Sequence, residues 1–183
     1  SGAFTDGCIG DWAEDTAEAV ASLTDGPIVP VGSSMGGWQA LLLARAMPER
    51  IVGLVTIAAA PDFTEDSYWA GFTDTQKRAL DAVGHVELPS DYMEPYIITK
   101  RMIEDGRRQL VLRDALHLPF PVRFLQGTAD TAVSVDLAVR LLDHASGPDM
   151  QLSLVKDADH RFSDDRCLAL ILDAIHQVGQ ASD

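Results

Sequence analysis

Short β-branched runs alternate with longer amphipathic segments along this chain, the pattern of an α/β domain built on a parallel sheet. Over Asp11–Leu23 the residues Trp12, Thr16, Val20 and Leu23 share a helical face. Asp11 and Glu14 are spaced to cap its first turn, and Asp25-Gly26-Pro27 stops it. Ile28–Val31 then reads as a strand running directly into Gly32-Ser33-Ser34-Met35-Gly36-Gly37. A helix follows over Gly37–Met47, ended by Pro48, and Ile51–Ile57 is a second apolar strand.

From Pro61 to Pro119 the alternation lapses. Asp74–Val83 and Ile97–Leu112 look helical, no sheet strand is evident, and six aromatic residues gather there: Phe63, Tyr68, Trp69, Phe72, Tyr92 and Tyr96. A stretch of this length between two strands reads as a small subdomain or lid. The alternation resumes with a strand at Val122–Leu125, a helix at Val135–Ala145, a strand at Gln151–Val155 and a last amphipathic helix at Cys167–Val178. The expected organisation is therefore an α/β core formed by residues 1–60 and 120–183, with a helical cap insertion at 61–119. Its sheet is open, mostly parallel, of about four strands and flanked by helices.

Composition narrows the function classes. With 183 residues, 46% of them hydrophobic, the chain can bury a core without staples, and disorder is excluded as its main state. No run of apolar residues is long enough to span a bilayer as a helix. Lys+Arg 14 against Asp+Glu 28 gives a net charge of −14, which repels nucleic acid, anionic lipid and polyanionic substrates. Cys8 and Cys167 make no disulfide framework and have no second ligand at metal spacing, so no metal is expected. The chain opens on Ser-Gly-Ala, with neither an initiator Met nor a basic-then-apolar leader, as expected of a chain that is processed or cut from something longer. A cytoplasmic setting is the expectation.

Gly32-Ser33-Ser34-Met35-Gly36 fits Gly-x-Ser-x-Gly between an entering strand and a leaving helix. That context would hold the Ser34 hydroxyl exposed on a sharp turn, the flanking glycines leaving room where a Cβ would crowd. Ser33 occupies the wrong place in the pattern. A serine hydroxyl needs a base, and the base needs an orienting acid. In such folds the acid and then the base follow the serine at later strand ends. Asp130, in Gln126-Gly127-Thr128-Ala129-Asp130, and His160, in Lys156-Asp157-Ala158-Asp159-His160, stand in that order. His85 and His117 fall in the insertion, and His144 and His176 fall on helices. Asp136 is helical, and Asp157 and Asp159 lie too near His160 in sequence to orient it. The roles follow: Ser34 nucleophile, His160 general base and acid, Asp130 orienter, and the Met35 N–H an oxyanion donor at a helix N-terminus.

With those residues in place, the sequence resembles the α/β-hydrolase superfamily, and in detail the palmitoyl-protein thioesterase and acyl-glucuronide esterase branch with its bacterial carboxylesterase relatives. The likeness runs through Gly10-Asp11-Trp12, the elbow with Trp38, Pro48-Glu49-Arg50 and Ala59-Ala60-Pro61-Asp62-Phe63. It continues through Ile103-Glu104-Asp105-Gly106-Arg107, Gly127-Thr128-Ala129-Asp130 and Asp159-His160-Arg161. It implies a cofactor-free serine hydrolase of small-molecule carboxylic esters or thioesters with an apolar acyl group. Trp38, Phe63, Trp69 and Tyr96 are the substrate-binding candidates, or else they belong to the core and to the insertion's own packing.

The resemblance departs at the front. Family members carry a hairpin and two further strands ahead of the part that matches, and the loop after their third strand supplies a second oxyanion N–H. A truncated fold is thus expected, with Ile28–Val31 as an exposed edge. Pro30 fits an edge, and an open edge invites self-association. The alternatives to an ester hydrolase are an impaired chain serving as an assembly partner, or perhydrolase or C–C hydrolase chemistry on the same elbow.

Overall fold

The computed structural model describes residues 2–89 and 95–180. Tyr92, one of the aromatics noted above, lies outside them. Two compact units emerge: one gathers the chain up to Asp15 with Asp62–Leu110, the other Thr16–Pro61 with everything from Val111 on.

The second unit holds the parallel sheet. Its strands are β1 (Val31–Ser33), β2 (Leu54–Ile57), β6 (Val122–Gly127) and β8 (Met150–Val155), in the order β1-β2-β6-β8. All three pairings are parallel, with Val31 opposite Val55, Leu54 opposite Val122 and Val122 opposite Met150. Every residue of the central strands β2 and β6 is buried, the polar Thr56, Arg123 and Gln126 included, as strands covered on both faces should be. Helices α2 (Met35–Ala46), α5 (Val135–His144) and α6 (Asp165–Gln180) pack against these strands. On one face Val55, Ile57, Leu125 and Val155 meet Cys167, Ala174 and Val178 of α6. At the strands' other end Arg123, buried on that face, reaches Gln177 of α6 at 2.9 Å and holds Asp149 with two nitrogens at 2.8 and 3.0 Å. A further two-stranded parallel pair joins β5 (Leu116–His117) to β7 (Ala145–Ser146).

Strand β1 is the outer strand, but Pro30 does not face the outside. Its carbonyl accepts from the Val55 N–H at 3.0 Å, and the N and C=O of one strand residue point the same way. Pro30 therefore removes a donor on the paired side, which is why regular pairing begins only at Val31, after an isolated bridge between Ile28 and Ile51. The other side of β1, which pairs with no strand among the described residues, carries the N–H and C=O groups of Val31 and Ser33, and Val31 is 45% exposed.

Helix α1 (Ile9–Leu23), whose first residues up to Asp15 belong to the first unit, begins two residues before Asp11, so Asp11 lies inside its first turn instead of at the N-cap and pairs with Arg101 at 2.8 Å. The first-turn donor of Gly10 is taken from far along the chain: its N–H donates to Asp105 Oδ2 at 2.6 Å. Residues 61–119 also contain strands, contrary to the sequence reading. β3 (His85–Leu88) and β4 (Tyr96–Thr99) form an antiparallel pair, and α4 (Lys100–Gly106) starts only after Thr99, whose side chain accepts from Met102 N–H at 3.1 Å. The β-branched run Ile97-Ile98-Thr99 explains the difference: it gains more from cross-strand packing, with Ile98 opposite Val86, than from a helix. Val86, Ile98, Met102 and Ile103 close over Phe72 and Leu80 of the Phe72 turn and α3 (Asp74–Val83) to form that unit's core. Among the described residues no helix is long and apolar enough to cross a membrane.

Candidate active site

Ser34 lies between the last residue of β1 and the first of α2, with φ 54° and ψ −122°. That backbone region is costly for a side-chain-bearing residue, so the surroundings must hold it. They do so through three main-chain bonds. The Ser34 N–H donates to Ile57 O at 2.9 Å, while its carbonyl accepts from Gly37 N–H at 2.9 Å and Ala60 N–H at 3.1 Å. The end of β2 thus anchors both sides of the turn.

The glycines divide the remaining work unevenly. A Cβ on Gly32 would strike the Gly36 carbonyl, and one on Gly37 would lie 2.7 Å from the Ala59 Cβ. A Cβ on Gly36 would meet nothing within 4 Å among the described residues. Close approach therefore explains Gly32 and Gly37, whereas Gly36 matters here as the carbonyl that Gly32 must clear.

The acid and the base sit on two loops that are zipped together. Thr128 N–H donates to Val155 O at 2.9 Å, Ala129 N–H to Ala158 O at 3.0 Å, and Asp157 N–H to the Thr128 hydroxyl at 2.9 Å. A Cβ on Gly127 would collide with the Ala158 carbonyl, so the loops close only over a glycine. Beyond them Asp159 Oδ1 accepts from the N–H groups of Arg161 and Phe162, at 3.0 and 3.2 Å. This local turn brackets His160 and is backed by the buried Phe162. Asp159 is spent on that turn and is no rival to Asp130.

Asp130 is enclosed by donors. Its Oδ1 accepts from Ala132 and Val133 N–H at 2.8 and 2.9 Å, and its Oδ2 from Gln126 Nε2 at 3.0 Å. His160 Nδ1 lies 2.9 Å from the same Oδ2, and His160 Nε2 lies 3.1 Å from Ser34 Oγ. The Asp130 side chain is wholly buried, and burial alone would raise its pKa. The hydrogen bonds from Val133, His160, Ala132 and Gln126 outweigh that and hold the carboxyl below its usual value. An ionised carboxylate fixes the tautomer: Nδ1 carries the proton and donates it to Oδ2, leaving Nε2 bare to accept from the Ser34 hydroxyl. The arrangement can take a proton from a serine and return it to a leaving group.

Ser34, Asp130 and His160 are thus brought together, and Met35 begins α2 beside Ser34 with its N–H in the first turn. Trp38 is fully buried in α2. Phe63, Trp69 and Tyr96 belong to the other unit. Phe63 packs edge-on against Tyr68 with ring centres 5.2 Å apart. Trp69 takes the Arg107 guanidinium at 4.4 Å and the Lys77 ammonium at 5.1 Å from its ring centre. Tyr96 is exposed on β4. Gln126, whose Nε2 donates to Asp130, was passed over by sequence reasoning; its signal was a polar residue directly after the strand Val122–Leu125.

The model of the alpha/beta hydrolase family matches residues 2–177. The chain belongs to the alpha/beta hydrolase family. Among curated alpha/beta hydrolases and their kin, it is 33% identical over 158 residues to the mouse (Mus musculus) palmitoyl-protein thioesterase ABHD10, mitochondrial, covering 85% of this chain and 53% of that protein. The chain spans about half the length of the curated relatives it matches. A solved structure from Agrobacterium vitis S4 superposes with a TM-score of 0.92 at 36% identity, covering 97% of this chain and 71% of the other. The alpha/beta hydrolase domain-containing protein 10 from mouse gives 0.89 at 28% identity, covering 100% and 74%. These relatives overturn one expectation: the curated proteins matched here carry mitochondrial names, so the cytoplasmic assignment does not stand.

Proposed function

We propose that this alpha/beta hydrolase chain is a serine hydrolase that cleaves carboxylic esters or thioesters through an acyl-enzyme on Ser34. The observation that carries the reading is the single imidazole bridging the strained serine and the buried carboxylate, at 3.1 and 2.9 Å. Ser34 Oγ attacks the acyl carbonyl as its proton passes to His160 Nε2. The negative charge that develops on the carbonyl oxygen is met by the Met35 N–H at the start of α2. Collapse expels an alcohol or thiol, which takes the proton back from His160. Water then repeats the sequence on the acyl-enzyme and releases the acid. Asp130 stays ionised throughout and stabilises the imidazolium.

The relatives named for thioesterase activity support the ester and thioester class. The aromatic set Phe63, Trp69 and Tyr96, with Trp38 beside the elbow, is the reason to propose an apolar acyl group, and 61–119 the reason to propose a cap. Self-association through the open side of β1 is the protein partner this reading offers. A fluorophosphonate probe should label the chain, and Ser34→Ala should abolish both labelling and the hydrolysis of p-nitrophenyl and thioester substrates across an acyl-length series. Labelling that persists in Ser34→Ala places the nucleophile elsewhere and ends the proposal.

A further inference from the structure

Three of the four donors on the Asp130 carboxylate come from its own stretch of chain: two backbone N–H groups and the side chain of Gln126. Gln126 is 1% exposed near the end of β6. Its Nε2 has three neighbours, Asp130 Oδ2 at 3.0 Å, Val133 O at 3.0 Å and Gly127 O at 3.2 Å. All three are acceptors, so the atom among them must be the NH2 group, and the orientation of the amide is fixed by chemistry. The same orientation leaves Gln126 Oε1 buried, with no hydrogen-bond partner among the described residues. A buried orphan acceptor is disfavoured, and an apolar side chain of similar size would avoid it. Gln126 therefore fills this place at a cost that space-filling does not explain, with its donor on the oxygen that His160 uses.

We propose that Gln126 is a positioning residue that acts on His160 through Asp130. Its NH2 group holds Oδ2 in place for the His160 Nδ1–H and, by also tying the Val133 carbonyl, fixes the turn whose N–H groups occupy Oδ1. Among the described residues the titratable partner of this carboxylate is His160, which arrives from the loop after β8; Gln126, Ala132 and Val133 are neutral. A carboxylate in that slot would set a second negative charge against Oδ2. A hydrocarbon would strip it of a donor and leave His160 as its sole side-chain partner. The functional meaning of this role rests on the hydrolase reading, whereas the coupling between Gln126 and Asp130 does not.

The test compares Gln126→Leu and Gln126→Met with the unaltered chain. With the carboxyl carbons isotopically labelled, the Asp130 titration followed by NMR should move upward by about one pH unit in either variant. In hydrolysis assays kcat should fall roughly tenfold with KM little changed, and the acidic limb of the kcat profile should shift. A folded variant whose Asp130 titrates at the parental pH overturns the proposal. Should Gln126→Leu unfold, Gln126→Met, unbranched and of equal length, decides; should both unfold, Gln126 is a structural residue only and the proposal falls. If the unaltered chain takes no fluorophosphonate, the hydrolase reading fails, and the Asp130 titration still decides the role of Gln126.

Discussion

Ser34 shows how a single residue can be legible in sequence while its neighbours are not. Gly-x-Ser-x-Gly between a strand and a helix points at its hydroxyl, but the pattern treats both glycines alike. The structure separates them. Gly32→Ala forces a Cβ into the Gly36 carbonyl, backbone that has no room to retreat, and should destabilise the chain by about 1–3 kcal/mol. Gly36→Ala, with open space around the new methyl in a helical first turn, should melt at or above the parental temperature. Thermal unfolding of the two variants side by side checks the contrast. That Ser34, Asp130 and His160 would meet was readable because each follows a strand of the parallel sheet. Asp159 and Gln126 were not, because an Asx turn and a buried side-chain donor depend on which loops meet in space.

At the scale of elements, Ile103-Glu104-Asp105-Gly106-Arg107 shows a motif whose meaning is architectural. Asp105 accepts the Gly10 N–H of α1, Gly106 leaves space for Thr64, and Arg107 lies on Trp69 while pairing with Glu65 at 2.7 Å. Asp105 is buried, which by itself would raise its pKa. The Gly10 N–H, the Cys8 thiol and Arg108 together hold it below the usual value. Cys8 remains a thiol because burial first, and contact with Asp105 after it, push its pKa up to about 11. A carboxyl depressed in the folded state adds stability that is complete above the ordinary carboxylate range. That stability is lost as the pH falls from about 4 through the lower folded value. Asp105→Asn should therefore be less stable at neutral pH by on the order of 1.5–3 kcal/mol and lose less on acidification. Urea unfolding from pH 7 to pH 3 reads both effects. The β3–β4 hairpin escaped the sequence because three β-branched residues adjoin a true helix, and the periodicity of the whole stretch averages towards the longer element.

For the whole molecule, the four-strand parallel sheet with flanking helices was legible from alternation alone, since buried central strands and amphipathic helices differ in period. The grouping of the first 15 residues with Asp62–Leu110 was not, because it depends on contacts nearly a hundred residues apart. In the proposed self-association through β1, an edge that no strand pairs among the described residues and the net charge of −14 would act against each other. Like-charged copies repel most when unscreened, so sedimentation should show association that strengthens from about 10 mM salt to physiological ionic strength. A monomer at every concentration and salt level removes that proposal.

The zipped loops after β6 and β8 have a consequence for reaction kinetics. Because Thr128, Ala129, Asp157 and Ala158 lock them to each other, the backbone that carries the imidazole and its carboxylate is set when the chain folds, with the two side chains 2.9 Å apart. On the proposed hydrolase reading, orientational entropy that a loose base would surrender at each turnover is thereby charged once to the folding equilibrium, and an arriving ester would meet a base already aimed.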